Sequence, residues 1–252
     1  MKDELESVRK LLAEAESPLF ITGAGISAGA GLPTYRGIGG LYEGRNTEDG
    51  MPIEEALSGT MMRDRPEITW KYLWEIAEAC RGVGPGPGHR VVAEISKAKP
   101  HTWVLTQNVD GLHAASGVEN LIEIHGRAAN LLCTHCRGEF DGEKLLFTGA
   151  CQPPTPPECP RCGEYLRPEV VLFGEMLPPD ELKKYDALMT AGIDLVVSVG
   201  TSSLFSYITM PVEIAAEANV PTVEINTGKT DISKLVTHRL EMECDEALAA
   251  IW

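Results

Sequence analysis

Apolar residues recur along this chain in two rhythms. Close to the amino terminus Leu5, Val8, Leu11, Leu12 and Ala15 fall on one face of a 3.6-residue period, which predicts a helix over residues 3–16. Residues 19–22 form a short apolar run, the pattern of a buried strand, and a glycine-rich turn over 23–28 follows it. The alternation returns further on. Helices are predicted over 66–80, 89–97, 179–191 and 212–219, and strands over 103–106, 121–124, 170–173, 194–199 and 222–225. Residues 38–66 lack a strong period, so loop with short helices is expected there, and the run GVGPGPG at 82–88 marks a boundary. Strands alternating with helices imply an α/β fold, a doubly wound parallel sheet with helices on both faces.

Composition narrows the class. The 252 residues are 43% apolar, enough for one large domain, or one domain with a small insert. No apolar run approaches the roughly 18 residues of a membrane span. The charged start has no apolar segment of a secretory signal, so a cytoplasmic address is expected. With 22 basic and 37 acidic residues the net charge is -15. That balance disfavours nucleic acid, whose phosphates need Lys and Arg. It suits basic partners such as lysine-rich protein tails, and serves solubility equally well.

Residues 131–166 differ from their surroundings by a proline run, QPPTPPECP, and two C-x-x-C pairs, Cys133/Cys136 and Cys159/Cys162. Without a secretory signal such pairs read as metal ligands before disulfides. Four thiolates complete a tetrahedral zinc site and leave no open position, so the expected zinc is structural. Cys151 falls off this spacing, and Cys80 and Cys244 read as ordinary thiols.

Polar residues end strand after strand: Gly23-Ala24-Gly25, Gln107-Asn108, His125-Gly126, Gly200-Thr201-Ser202 and Asn226. In an open parallel sheet that edge is where ligands bind. The turn from Gly23 to Ser27 would bring backbone N–H groups and a helix start to one point, a seat for pyrophosphate. It reads G-x-G followed by Ile-Ser-Ala, not G-x-G-x-x-G, and no acid ends the next strand, so a standard dehydrogenase fits poorly.

The segments GAGISAGAGLPTYRG (23–37), TQNVDGLH (106–113), IHG (124–126), the paired cysteines, VVLFGE (170–175), GTSS (200–203) and EIN (224–226) together resemble the sirtuin family in order and spacing. The resemblance covers nearly the whole chain. It implies a Rossmann-like NAD-binding domain (1–38, 82–130 and 166–252), a helical flap (39–81) and a zinc-ribbon insert (131–165). The activity it implies is NAD-dependent deacylation of protein lysines, giving nicotinamide, deacylated lysine and an O-acyl-ADP-ribose. NAD would be a co-substrate, and acyl-lysine proteins or peptides the partners.

The resemblance also implies roles. His125 is the general base, which activates a ribose hydroxyl after the acyl oxygen has attacked the nicotinamide-bearing carbon. Asn108 is the second catalytic residue, and with Gln107, Val109 and Asp110 it forms the ribose and nicotinamide pocket. Gly23, Ala24, Gly25, Ser27 and Ala28 would hold the pyrophosphate, and Thr34, Tyr35 and Arg36 the covering loop. Gly200, Thr201 and Ser202, Asn226 and Cys244 complete the NAD contacts. Val171, Phe173, Gly174, Glu175 and Leu204 are expected at the substrate.

Departures from the family are informative. Tyr35 stands where most sirtuins have Phe, and Gly29 replaces the usual glutamate. Leu204-Phe205-Ser206-Tyr207 follows GTSS where Val-x-Pro is common. Sirtuins that remove acidic acyl groups carry Tyr-x-x-Arg in the helix matching 66–80. Aligned on Trp70, those positions are Leu73 and Ile76; shifted to Tyr72, they are Tyr72 and Glu75. Neither register supplies the arginine, although Arg65 and Arg81 flank the helix. A neutral acyl group such as acetyl is therefore expected. Mono-ADP-ribosyl transfer at the same NAD site and a non-catalytic binding module are the rival readings. Oligomeric state is not fixed by the sequence.

Overall fold

A computed structural model describes residues 2–33, 47–147 and 153–252. Thr34, Tyr35, Arg36 and Cys151 lie outside the described residues. The chain opens with α1 (Lys2–Glu14), β1 (Pro18–Thr22) and the single turn α2 (Ala24–Ala28). Three helices follow, α3 (Ile53–Ala56), α4 (Gly59–Asp64) and α5 (Pro66–Cys80), and then α6 (Pro87–Ala98), β2 (Trp103–Thr106), α7 (Leu112–Ala115) and β3 (Leu121–Glu123). The middle of the chain forms β4 (Gly126–Cys133), β5 (Glu139–Asp141), α8 (Gly142–Leu146) and β6 (Leu166–Val170). The last part is α9 (Pro179–Ala191), β7 (Leu195–Val199), α10 (Ser206–Glu217), β8 (Thr222–Ile225), β9 (His238–Leu240) and α11 (Cys244–Ile251).

Six strands form one parallel sheet in the order β3-β2-β1-β7-β8-β9. The strands are apolar on both faces because helices cover both. The pleat divides them: Phe20, Val104, Val197 and Val199 face the core built with α1, α6 and α11, while Leu19, Ile21, Leu105 and Val196 face the one built with α9 and α10. The order turns outward from β1 in both directions, so a crevice opens where β1 and β7 end.

A second sheet, β5-β4-β6, is antiparallel. Its strands reach beyond 131–165, starting at Gly126 and ending at Val170. α3, α4 and α5 share its core: Trp70, Leu73 and Ile76 pack with Leu131, Leu146 and Leu166. Trp70 Nε1–H donates to the Leu166 carbonyl at 2.8 Å, and Trp74 Nε1–H to that of Thr155 at 3.1 Å. The helical flap and the insert are thus one body.

Two expected elements differ. The strand expected at 170–173 is absent, since β6 ends at Val170. The next residues bond elsewhere instead: Val171 N–H donates to the His125 carbonyl, while Phe173 N–H donates to the Leu57 carbonyl and the Phe173 carbonyl accepts from Gly59 N–H, an isolated bridge. An apolar run here crosses between the two bodies and does not extend a sheet. The helix expected at 212–219 begins at Ser206 and holds Pro211 inside it. Proline removes one helical N–H, and that cost makes it read as a boundary, although burial of Ile208 and Val212 carries the helix through.

The crevice floor is bare backbone. Gly25 N–H donates to the Gly200 carbonyl at 2.9 Å. A Cβ on Gly25 would lie 2.6 Å from Gly200 Cα, and one on Gly200 would lie 2.7 Å from Gly25 Cα, at a Gly200 φ of +60°. Gly200→Ala should lower the unfolding free energy by about 2–4 kcal/mol, combining left-handed strain with overlap. Urea titration checks this, and a change within about 0.5 kcal/mol would mean that the crossing relaxes freely.

Candidate active site and metal centre

The turn after β1 uses much of its own polarity. Gly23 N–H donates to the Val199 carbonyl, Gly25 N–H to Gly200 and Ile26 N–H to Gly23. Of these first N–H groups only that of Ala24 has no acceptor among the described residues. The turn therefore offers a ligand chiefly close backbone approach, and fewer donors than its sequence implies.

Asn108, 6% exposed, joins the loop after β2 to this turn. Its Nδ2 donates to the Gly23 carbonyl and to Ser27 Oγ, both at 3.0 Å. Ser27 Oγ–H donates in turn to Asp110 Oδ2 at 2.7 Å, and Asp110 Oδ1 accepts from Leu112 N–H. The amide oxygen of Asn108 accepts from no described residue. These groups line an open cleft with Ala24, Leu32, Pro33, Ile76, Ala79, Cys80 and Val109.

On the far side, Gln107 Nε2–H donates to Thr201 Oγ1 at 2.5 Å. Asn226 Nδ2–H holds the Thr201 carbonyl at 2.9 Å while its Oδ1 accepts from Gly228 N–H. Asn226, expected among the NAD contacts, is thus engaged at both ends with backbone. Ser202 is exposed. Ser203, which sequence reasoning passed over, has a left-handed φ of 54° and a buried hydroxyl without a partner among the described residues. A buried polar atom left unpaired, on a strained residue beside the cleft, marks a place shaped for something else.

His125 follows β3 and is half-buried. Its Nδ1 lies 2.9 Å from the Gln107 carbonyl and its Nε2 lies 2.8 Å from the Tyr207 hydroxyl. A carbonyl only accepts, so Nδ1 carries the proton and Nε2 presents the lone pair. Burial pushes the His125 pKa below its ordinary 6.5, with the Gln107 carbonyl opposing, and pushes the Tyr207 phenol up to about 12. A neutral imidazole thus accepts from a protonated phenol. The departure from Val-x-Pro was the sequence signal for Tyr207, but its meeting with His125 was not legible there.

The expected substrate residues divide. Phe173 (37%) and Leu204 (51%) are exposed apolar side chains, and Gly174 has a positive φ. Glu175 is not free for a substrate. Arg167 grips it through two bonds of 2.6 and 2.7 Å, and Leu172 N–H donates to it at 3.0 Å. It holds the 171–175 turn closed. Cys244 is buried in the core at the start of α11, its thiol pushed up to about 12 by burial. Its neighbour Asp245 fills the space beside Gly29: a Cβ there would lie 1.9 Å from Asp245 Oδ2, and Asp245 Oδ1 accepts from Gly88 N–H.

On α5, Tyr72, Leu73 and Ile76 are all buried, Tyr72 donates to Asp49 and Glu75 is exposed. Arg65 pairs with Glu67, while Arg81 pairs with Glu78 and stacks on Phe147. Neither arginine lines the cleft.

The four sulfurs of Cys133, Cys136, Cys159 and Cys162 lie within 4.8 Å of one another, with 133–162 at 3.5 Å and 136–159 at 3.7 Å. Zinc–sulfur bonds of about 2.3 Å in a tetrahedron place sulfurs about 3.8 Å apart, so the set fits zinc. Backbone N–H groups of His135 and Cys136 point to Cys133 Sγ, and that of Arg161 to Cys159 Sγ. A residue of positive φ, Arg137 or Gly163, follows each pair and turns the chain back.

The Sir2 family model matches residues 23–206. The chain is 48% identical over 234 residues to an NAD-dependent protein deacylase 2 of Pseudomonas aeruginosa, spanning 92% of this chain and 90% of that one. It is 46% identical over 242 residues to an NAD-dependent protein deacylase 2 of Pseudomonas syringae pv. tomato, spanning 95% and 96%. A crystal structure of a Sir2 homologue in complex with NAD superposes with a TM-score of 0.83 at 30% identity, covering 98% of this chain and 93% of the other. Among the described residues no helix is long and apolar enough to cross a membrane.

Removing one ligand tests the metal centre. Cys136→Ala should take bound zinc, measured by elemental analysis, from one per chain to none. The melting temperature should fall by roughly 5 °C or more, because a closed zinc site contributes folding energy directly.

Proposed function

Because the chain belongs to the Sir2 family, we propose that it deacylates protein lysines with consumption of NAD, and that His125 is its base. The observation that carries this reading is the half-buried imidazole at the sheet edge, with Nδ1–H fixed on the Gln107 carbonyl and Nε2 left as the acceptor. NAD supplies the electrophilic ribose carbon and the departing nicotinamide. His125 Nε2 then takes the proton of a ribose hydroxyl, which lets that oxygen attack the acyl group.

The other roles are proposed from the same cleft. The Asn108 amide oxygen accepts from the ligand, because both its N–H groups are occupied. Asp110, Gln107 and Val109 border the ribose and nicotinamide, and Gly23, Ala24, Gly25, Ser27 and Ala28 pass close to the pyrophosphate. Gly200, Thr201 and Ser202 face the same ligand, and the unpartnered Ser203 hydroxyl supports that placement. Asn226 acts by holding the Thr201 carbonyl. The substrate peptide lies along the 171–174 crossing, whose backbone belongs to no sheet, with Phe173 and Leu204 flanking the acyl-lysine. The zinc organises the small sheet and takes no part in the reaction, since thiolates fill its four positions. Reduced thiols of this kind suit a cytoplasmic setting.

The acyl group accepted is a neutral one. The cleft is lined on the α5 side by Ile76, Ala79 and Cys80, with no cation among the described lining residues. An unpaired carboxylate there is desolvated at a cost on the order of several kcal/mol.

Four outcomes are expected. Nicotinamide release from NAD should depend on an acylated peptide, with acetyl preferred to succinyl by about 100-fold. His125→Ala should lower deacylation by about 10²–10⁴-fold. Transfer of labelled ADP-ribose onto protein in place of peptide deacylation would overturn the assignment. Ile76→Arg should raise succinyl relative to acetyl turnover by about tenfold, the effect of one partly screened ion pair. Because burial favours neutral His125, the acidic limb of the deacylation profile should fall below pH 6.5, and a limb above 7 would contradict it.

A further inference from the structure

The hydroxyl at His125 Nε2 comes from a residue that no part of the mechanism above employs. Ser203, at φ 54°, turns the chain so that the start of α10 returns toward the end of β3. Phe205 and Tyr207 stack there, 5.4 Å apart and 9° from parallel. The imidazole of His125 stands edge-on to both, at 5.8 and 5.9 Å and at 85° and 86°. The ring is thus bounded by two aromatic rings, by the Gln107 carbonyl on Nδ1 and by the Tyr207 hydroxyl on Nε2. Neither side chain of the Val-x-Pro pattern expected here could donate a hydrogen bond to the imidazole.

We propose that Tyr207 is a positioning residue for the base. Its phenol O–H, donating to Nε2, holds the imidazole with the reactive lone pair aimed into the cleft, and gives way to the ribose hydroxyl when substrate arrives. Both are single hydroxyl donors to the same nitrogen, so the exchange leaves Nε2 with one hydrogen bond throughout. No covalent step involves the phenol. The proposal rests on His125 being the base.

Tyr207→Phe keeps the ring stack and removes only the hydroxyl. If Tyr207 positions the base, peptide-dependent exchange of labelled nicotinamide into NAD, which precedes the base's step, stays within about twofold. Overall deacylation should fall by about three- to tenfold in kcat/KM with kcat little changed, since the hydroxyl orients the imidazole in the free enzyme and has left Nε2 once substrate is bound. In the ligand-free enzyme labelled with ¹⁵N-histidine, the Nε2 resonance of His125, assigned by its loss in His125→Ala, moves downfield toward that of an unbonded acceptor nitrogen. The melting temperature stays that of the parent. Unchanged deacylation and an unmoved resonance would overturn the proposal, as would deacylation and exchange falling in parallel, which marks a purely structural part. Deacylation that survives in His125→Ala would instead overturn the base assignment, whatever Tyr207→Phe does.

Discussion

The molecule depends on one backbone crossing. Gly25 and Gly200 approach so closely that neither has room for a Cβ, and one N–H to carbonyl bond of 2.9 Å joins them. This contact closes the floor between β1 and β7, where the sheet reverses its winding. Everything above is hung from it. Asn108 and Ser27 brace the β1 side, and Gln107 and Asn226 reach Thr201 on the β7 side. A side chain at either glycine would push apart the two loops whose spacing defines the cleft. Small residues are therefore needed for the approach of two segments of the protein itself as much as for the approach of a ligand.

The roof is a second body, with its own core. α5 and the small sheet are joined by Trp70 and Trp74, each packed in apolar surroundings and each donating its indole N–H to a carbonyl beyond the helix. The metal cysteines sit at the far side of that body, away from His125 in the chain's architecture. The same small sheet, through β6, leads into the 171–175 turn, which Arg167 and Glu175 clamp shut. Two cores of different construction meet along a seam, and the ligand edge of the parallel sheet opens into it.

Much of this was legible in the sequence where the cause is local. The helix at 66–80 has its expected bounds because proline at its first position and a sustained period announce it, and the strands at 103–106 and 222–225 coincide with their apolar runs. The cysteine cluster was legible because two short spacings suffice to bring four sulfurs together. What failed to show was decided by distant partners. The apolar stretch 171–173 has a strand's composition, yet its backbone bonds go to His125 and Leu57. Glu175, expected at the substrate, is also held through both its oxygens by Arg167, a partner that no local pattern announces. Tyr207 stood out as an odd residue, but only the left-handed turn at Ser203 brings its hydroxyl to the imidazole.

Gly29 and Asp245 carry a lesson of a different kind. The family's glutamate is missing after Ser-Ala, yet a carboxylate occupies that volume all the same, delivered from α11 and bonded to Gly88 N–H. Each residue makes sense only in the presence of the other. Restoring glutamate at 29 alone would set two acids into one space, and removing Asp245 alone would leave a hole beside an unanswered N–H. The turn near the start of the chain is thus fitted to a carboxylate supplied from near its end, and residue 29 must stay bare for the two ends to close on each other.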